Sequence, residues 1–210
     1  MTAIVLLTKA PRPGSVKTRL CPPLSFVAAA QFAEAAIADT MDVIDQLDWS
    51  TCVLAIDRPN KHWTRPGWFQ IGQPPGGLDV RIGDVLERTA VIASGKPVLL
   101  IGMDTPHVSV DDLRSTRDLL DTHDAVIGPA GDGGFWTLGM RVVDRGLVAG
   151  VPMSTAATGS AQLSRLRAAG LSVALAPCYR DIDTIEDALA AGMVAPSRRF
   201  ALSLQHEPSA

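Results

Sequence analysis

Cysteine is scarce in this 210-residue chain. The three present, Cys21, Cys52 and Cys178, lie far apart with no Cys-x-x-Cys and no Cys/His ligand spacing, which argues against zinc and against a secreted disulfide framework. No stretch approaches the roughly 18 apolar residues of a membrane span. The opening run Ile4 to Leu7 is too short for a signal-peptide core, and Lys9 and Pro11 follow at once. The expectation is a cytoplasmic protein with no membrane segment. An excess of either charge is missing too: the net charge of -3 gives no footprint for nucleic acid. Aromatic residues make up 5%, and the four tryptophans read as packing residues rather than a base-stacking platform. With 47% apolar and 20% charged residues, the composition is that of a compact globular chain. Its length suits one α/β domain, expected over residues 1–198, with 199–210 as a frayed tail.

What is present is an alternation. Ala3 to Thr8 reads as a buried strand, an apolar run rich in β-branched residues. Pro11, Pro13 and Gly14 then force a loop, and Ser25 can cap a helix from about Phe26 to Leu47. Thr51 to Ile56, Trp68 to Ile71, Pro97 to Met103, Ala125 to Gly128, Phe135 to Met140 and Ser172 to Ala176 read as further strands. Val80 to Ala93, Ser109 to Thr122, Ala156 to Ala169 and Ile185 to Ala191 read as helices. Strands alternating with helices imply a three-layer α/β/α arrangement around a mostly parallel sheet. Ligands of such sheets bind beyond the carboxyl ends of the strands.

Three segments at those ends stand out. The first is Lys9-Ala-Pro-Arg-Pro-Gly-Ser-Val-Lys-Thr-Arg-Leu20, directly after the first strand. Lys9, Arg12, Lys17 and Arg19 are the only charged residues among the first 33, so this part of the chain is basic and the remainder acidic. A local basic cluster on an acidic protein suits a small anionic ligand. Arginine forks phosphate oxygens bidentately while lysine supplies a point charge, and Gly14 lets the backbone approach closely. The alternative is a solvated basic loop, against which stand the density of the cluster and its place at the ligand end of a strand. Lys17-Thr18 is not a P-loop, because Val16 stands where that motif needs glycine.

The second segment is Gly102-Met103-Asp104-Thr105-Pro106, after the most apolar strand. Asp104 either ligates a hard divalent cation bridging phosphate oxygens or organises an Asp-x-Pro turn. The third, Gly128-Pro129-Ala130-Gly131-Asp132-Gly133-Gly134-Phe135, fits either a tight turn or a backbone lying against a ligand. A fourth feature, Asp181-Ile182-Asp183-Thr184, precedes the helix at Ile185. Asp183 or Thr184 serves as its N-cap with an acid three residues on, or a carboxylate here completes a cation site. The histidines show no ligand spacing and no pairing with serine or cysteine.

Taken in order, these segments resemble a bacterial family with a glycosyltransferase-A-type, nucleotidyltransferase-like fold, labelled glycosyltransferase-like or radical-SAM-associated transferase. They are more distantly similar to 2-phospholactate guanylyltransferase and the molybdenum-cofactor nucleotidyltransferases. The resemblance implies a Rossmann-like sheet of the nucleotide-diphospho-sugar transferase type. It also implies Lys17 and Arg19 on phosphates, Asp104 on Mg²⁺ and Asp183 as a second ligand. Gly76-Gly77-Leu78-Asp79 and Pro152-Met153-Ser154 depart from the family's Gly-Asp-Leu-Gly and Pro-Trp-Ser.

The function expected is Mg²⁺-dependent transfer of a nucleotide from a nucleoside triphosphate to a small phosphorylated or hydroxyl acceptor, with Lys17, Arg19 and Asp104 as the catalytic groups. Lys9, Arg12, Gly14, Thr18, Thr105, Gly131, Asp132, Gly133 and Gly134 are the expected substrate contacts. The alternatives are a glycosyltransferase using a nucleotide sugar, for which Asp181-Ile182-Asp183 spells an Asp-x-Asp, and a non-catalytic nucleotide-binding module.

Overall fold

The computed structural model describes residues 1–204. Seven strands form one sheet: β1 (Ala3–Thr8), β2 (Thr51–Ile56), β3 (Trp68–Gly72), β4 (Val98–Gly102), β5 (Ala125–Pro129), β6 (Phe135–Met140) and β7 (Val173–Leu175), in the order β3-β2-β1-β4-β6-β5-β7. All pairings are parallel except those made by β6, which runs against both β4 and β5. Its reversal follows from the short glycine-rich connection to β5, too short for the crossover that parallel neighbours need.

The helices are α1 (Phe26–Ile44), α2 (Leu78–Ile92), α3 (Val110–Asp118), α4 (Thr158–Ala168), α5 (Ile185–Val194) and α6 (Arg199–Ser203). Ser25 caps α1 as expected, its hydroxyl accepting from the Ala28 N–H. Alternate residues of each strand face opposite sides. Ile4 and Leu6 pack with Ala33, Ile37 and Met41 of α1 on one face, and Ala3 and Val5 with Ile82, Val85 and Leu86 of α2 on the other. The helices following β1 and β3 thus leave the sheet on opposite faces, and a crevice opens above the carboxyl ends of β1 and β4, its central neighbours. No helix among the described residues is long and apolar enough to cross a membrane.

A third apolar cluster lies behind α1, where Leu20, Phe32, Ala36, Ile182, Ala188 and Phe200 meet. It corrects the expected frayed end: residues 199–203 are helical, with Phe200 0% exposed and edge-on to Phe32 at 5.9 Å between ring centroids. The buried carboxylate of Asp39 accepts from the Phe200 N–H at 2.9 Å and pairs with Arg199 at 3.1 Å, fixing α6 to α1. Residues 205–210 of the expected tail lie outside the described residues.

Candidate active site

The crevice has a volume of about 620 Å³. Lys17 enters it from the loop after β1, with its backbone in the left-handed region at φ 50°, ψ 34°. Val16 and Leu20 are buried on either side, so the loop is anchored while the lysine stem is directed across the strand ends. Its ammonium donates to Asp104 Oδ1 and to the Ile182 carbonyl, both at 2.5 Å, and the Ile182 N–H donates to the Asp104 carbonyl at 2.9 Å. Three segments far apart in sequence are tied together by one side chain. Lys17 is 6% exposed, whereas Asp104 is 48% exposed and keeps an open side toward the crevice.

Arg19 pairs with Asp183 at 3.0 Å on the more exposed rim. Asp183 can do so because Thr184, not Asp183, caps α5: the Thr184 hydroxyl accepts from the Asp187 N–H while the Asp187 carboxylate accepts from the Thr184 N–H, a reciprocal capping box. Asp132 has two duties, since Oδ1 accepts from the Gly134 N–H at 2.7 Å to close its own turn while the residue lines the crevice.

Other expected contacts fall elsewhere. Lys9, Thr18 and Gly134 line the crevice, but Arg12, Gly14, Thr105, Gly131 and Gly133 do not. Arg12 lies in a smaller depression of about 140 Å³ beside Glu34 and His62. Gly14 sits in a turn closed by the Ser15 N–H donating to the Arg12 carbonyl, and Thr105 is buried with its carbonyl accepting from the Val108 N–H. Gly131 donates its N–H to the Tyr179 carbonyl. Gly133 has φ +88°, and a Cβ there would stand 2.2 Å from the Ala156 carbonyl oxygen. Its lack of a side chain is therefore explained by approach to its own chain.

Sequence reading underweighted Asp181 and passed over Gln73 and Arg81. Asp181 lines the crevice and its Oδ1 is buried without a hydrogen-bond partner. Burial, followed by the charges of Asp104 and Asp132, pushes its pKa up from 3.8 to about 7, with Lys17 opposing. Alternation in Asp181-Ile182-Asp183 was the available signal: buried Ile182 anchors the segment while its neighbours flank the crevice. Gln73 donates to the Thr8 and Ala55 carbonyls at 2.6 and 2.9 Å, which pins its amide across the ends of β1 and β2. Arg81, in the first turns of α2, lines the crevice with a buried Nε that lacks a partner. A lone arginine on a helix carries no sequence signal of this kind.

The donor set fits a hard divalent cation: carboxylates at the strand ends, one with an orphaned buried oxygen. As they stand, no three His, Cys, Asp or Glu side chains among the described residues are grouped to hold an ion. Two of the candidate carboxylates already have cationic partners, Asp104 in Lys17 and Asp183 in Arg19.

Comparison with known proteins supports the same fold. Residues 27–155 match a family model described as "Uncharacterized protein conserved in bacteria (DUF2064)". A structure from Desulfovibrio desulfuricans G20, provisionally named a nucleotide-diphospho-sugar transferase, superposes with a TM-score of 0.88 at 23% identity, covering 97% of this chain and 94% of that one. The 2-C-methyl-D-erythritol 4-phosphate cytidylyltransferase of Thermus thermophilus gives 0.56 at 16% identity over 93% and 100% of the two chains. Rv0371c of Mycobacterium tuberculosis H37Rv, solved as a complex with manganese, gives 0.53 at 18% over 90% and 96%. No curated protein matches the chain.

Proposed function

Because this chain belongs to the DUF2064 family of bacterial proteins and has the fold of the nucleotide-diphospho-sugar transferases, we propose that it is a divalent-metal-dependent nucleotidyltransferase. An oxygen of a small acceptor, either a phosphate anion or a hydroxyl that loses its proton to water, attacks the α-phosphorus of a nucleoside triphosphate in line. The new P–O bond forms as the bond to the β-phosphate bridging oxygen breaks, and pyrophosphate leaves with that electron pair. The observation that supports this reading is the convergence of Lys17 and Arg19 with Asp104, Asp181 and Asp183 over the ends of β1 and β4.

Phosphoryl chemistry of this kind needs positioning and charge neutralisation more than covalent participation. Lys17 and Arg19 oppose charge that builds on the transferred group and the leaving pyrophosphate. Lys9 and Thr18 extend the same loop along the phosphate tail. Arg81 donates from its guanidinium to Gln73 Oε1 at 3.4 Å and makes no ion pair among the described residues, so its charge can serve the nucleotide or the acceptor. Asp104, with Asp183 and the orphaned Asp181 oxygen, would hold Mg²⁺, which supplies charge neutralisation on phosphate oxygens when bound.

A thermal-shift panel of the four ribonucleoside triphosphates and several nucleotide sugars, each with and without Mg²⁺, tests ligand class first. Stabilisation by a triphosphate with Mg²⁺, followed by pyrophosphate release in the presence of acceptor, is expected. Stabilisation and hydrolysis of a nucleotide sugar without pyrophosphate release would replace this reading with glycosyl transfer. Lys17→Ala and Asp104→Asn should each lower turnover by about 10²- to 10³-fold while the protein stays folded.

A further inference from the structure

Among the described residues the crevice is lined by four carboxylates, Asp104, Asp132, Asp181 and Asp183, and by four cations, Lys9, Lys17, Arg19 and Arg81, of which Lys17 pairs with Asp104 and Arg19 with Asp183. Arg19 balances Asp183 from an exposed position, with 75% of its side chain open to solvent. Lys17 is different: its ammonium sits where a carboxylate oxygen and a backbone carbonyl converge at 2.5 Å each, a pair of hard oxygens of the type a divalent ion selects. An ammonium on Asp104 Oδ1 and a divalent ion on the same oxygen repel each other and compete for the same lone pairs. Asp181 lines the same crevice, and its Oδ1 is buried without a hydrogen-bond partner.

Resting on the nucleotidyltransferase reading above, we propose that Lys17 is a built-in surrogate for the metal: it fills the cation position of the free protein and yields it only when a triphosphate tail offers the ammonium another anionic partner. The loop is suited to this exchange. Val16 and Leu20 hold its backbone in the core, while the lysine stem has rotatable bonds that let the ammonium change partners without moving the chain. Metal and triphosphate therefore load together with positive coupling, and by linkage each strengthens the other's binding by the same factor. The free protein keeps its acidic cluster partly neutralised and takes up little metal by itself.

The test measures Mn²⁺ binding to the full chain without nucleotide, from the paramagnetic resonance of the free ion. Lys17→Met and Lys17→Gln should each bind Mn²⁺ at least tenfold more tightly than wild type. The gain should vanish when Asp104→Asn is added, which places the ion on Asp104. Lys17→Gln keeps an uncharged polar N–H at this position, so it serves where Lys17→Met fails to fold; circular dichroism checks both. Equal Mn²⁺ affinity of wild type and the Lys17 variants overturns the surrogate. If wild type is nevertheless stabilised by Mg²⁺ with a triphosphate, the nucleotidyltransferase reading survives that result. If no triphosphate stabilises it either, both fall.

Discussion

Asp181 shows how a single residue reports the character of this site. A carboxylate with a buried, unpartnered oxygen beside three other acids destabilises the free protein, because burial and like charge both disfavour its ionised form. Between 3.8 and about 7 the folded chain holds a proton that the unfolded chain has released, so wild-type stability falls as pH rises through that window. Asp181→Asn should therefore melt several degrees higher than wild type at pH 8 in the presence of a chelator, and the gain should shrink steadily toward pH 4; melting curves across that range decide it. The same substitution should weaken binding of Mg²⁺ with triphosphate, the usual opposition between stability and function at a charged site. Arg81 is the complementary case, a crevice cation with an orphaned Nε. Arg81→Met should leave the melting temperature near that of wild type and weaken triphosphate or acceptor binding by roughly tenfold or more, read by calorimetry.

Among the elements, α5 matters through its start. Thr184 and Asp187 cap each other across the first turn, and Arg180 pairs with Asp187 at 2.5 Å. This settles which of Asp183 and Thr184 is structural, a point that local sequence left open since both residue types cap helices well. With Thr184 in that role, Asp183 turns to Arg19. Thr184→Ala should cost about 1 kcal/mol and lower the melting temperature by about 2 to 4 °C. Because the cap also sets the path of residues 181–183, turnover should drop by more than stability alone explains. Restoring the hydroxyl with Thr184→Ser should recover both, whereas recovery of stability without turnover would show that the cap does not position Asp183.

At the scale of the whole molecule, α6 and the cluster behind α1 connect the two halves of the site. Leu20 from the basic loop and Ile182 from the acidic segment are buried with Phe200 in one apolar group, so the residues that bear charge on the crevice side are anchored from behind. Phe200→Ala should cost about 3 to 5 kcal/mol and lower the melting temperature by roughly 10 °C or more. Below that melting point, triphosphate affinity should fall as well, because both anchors loosen together. Deletion of residues 199–210 with unchanged melting and affinity would refute this structural role.

The order of strands and helices was readable along the chain because burial on both faces of a parallel sheet demands continuous apolar runs, and these have no other easy explanation in β1 or β4. Strand-end placement of Lys17, Arg19, Asp104 and Asp183 followed from the same reasoning. Local pattern could not assign Gly133, whose bare Cα faces the Ala156 carbonyl of a segment well removed along the chain. Nor could it distinguish Arg12, which shares the basic loop yet faces another depression, or reveal the helical packing of residues 199–203. Those outcomes depend on contacts between remote segments. The amino-acid sequence by itself determined which groups stand at the ends of the strands, since periodicity and turn chemistry act over a few residues; tertiary structure decided which of them meet, since Lys17 reaches Asp104 and the Ile182 carbonyl only once the sheet and its buried anchors have brought three distant segments together.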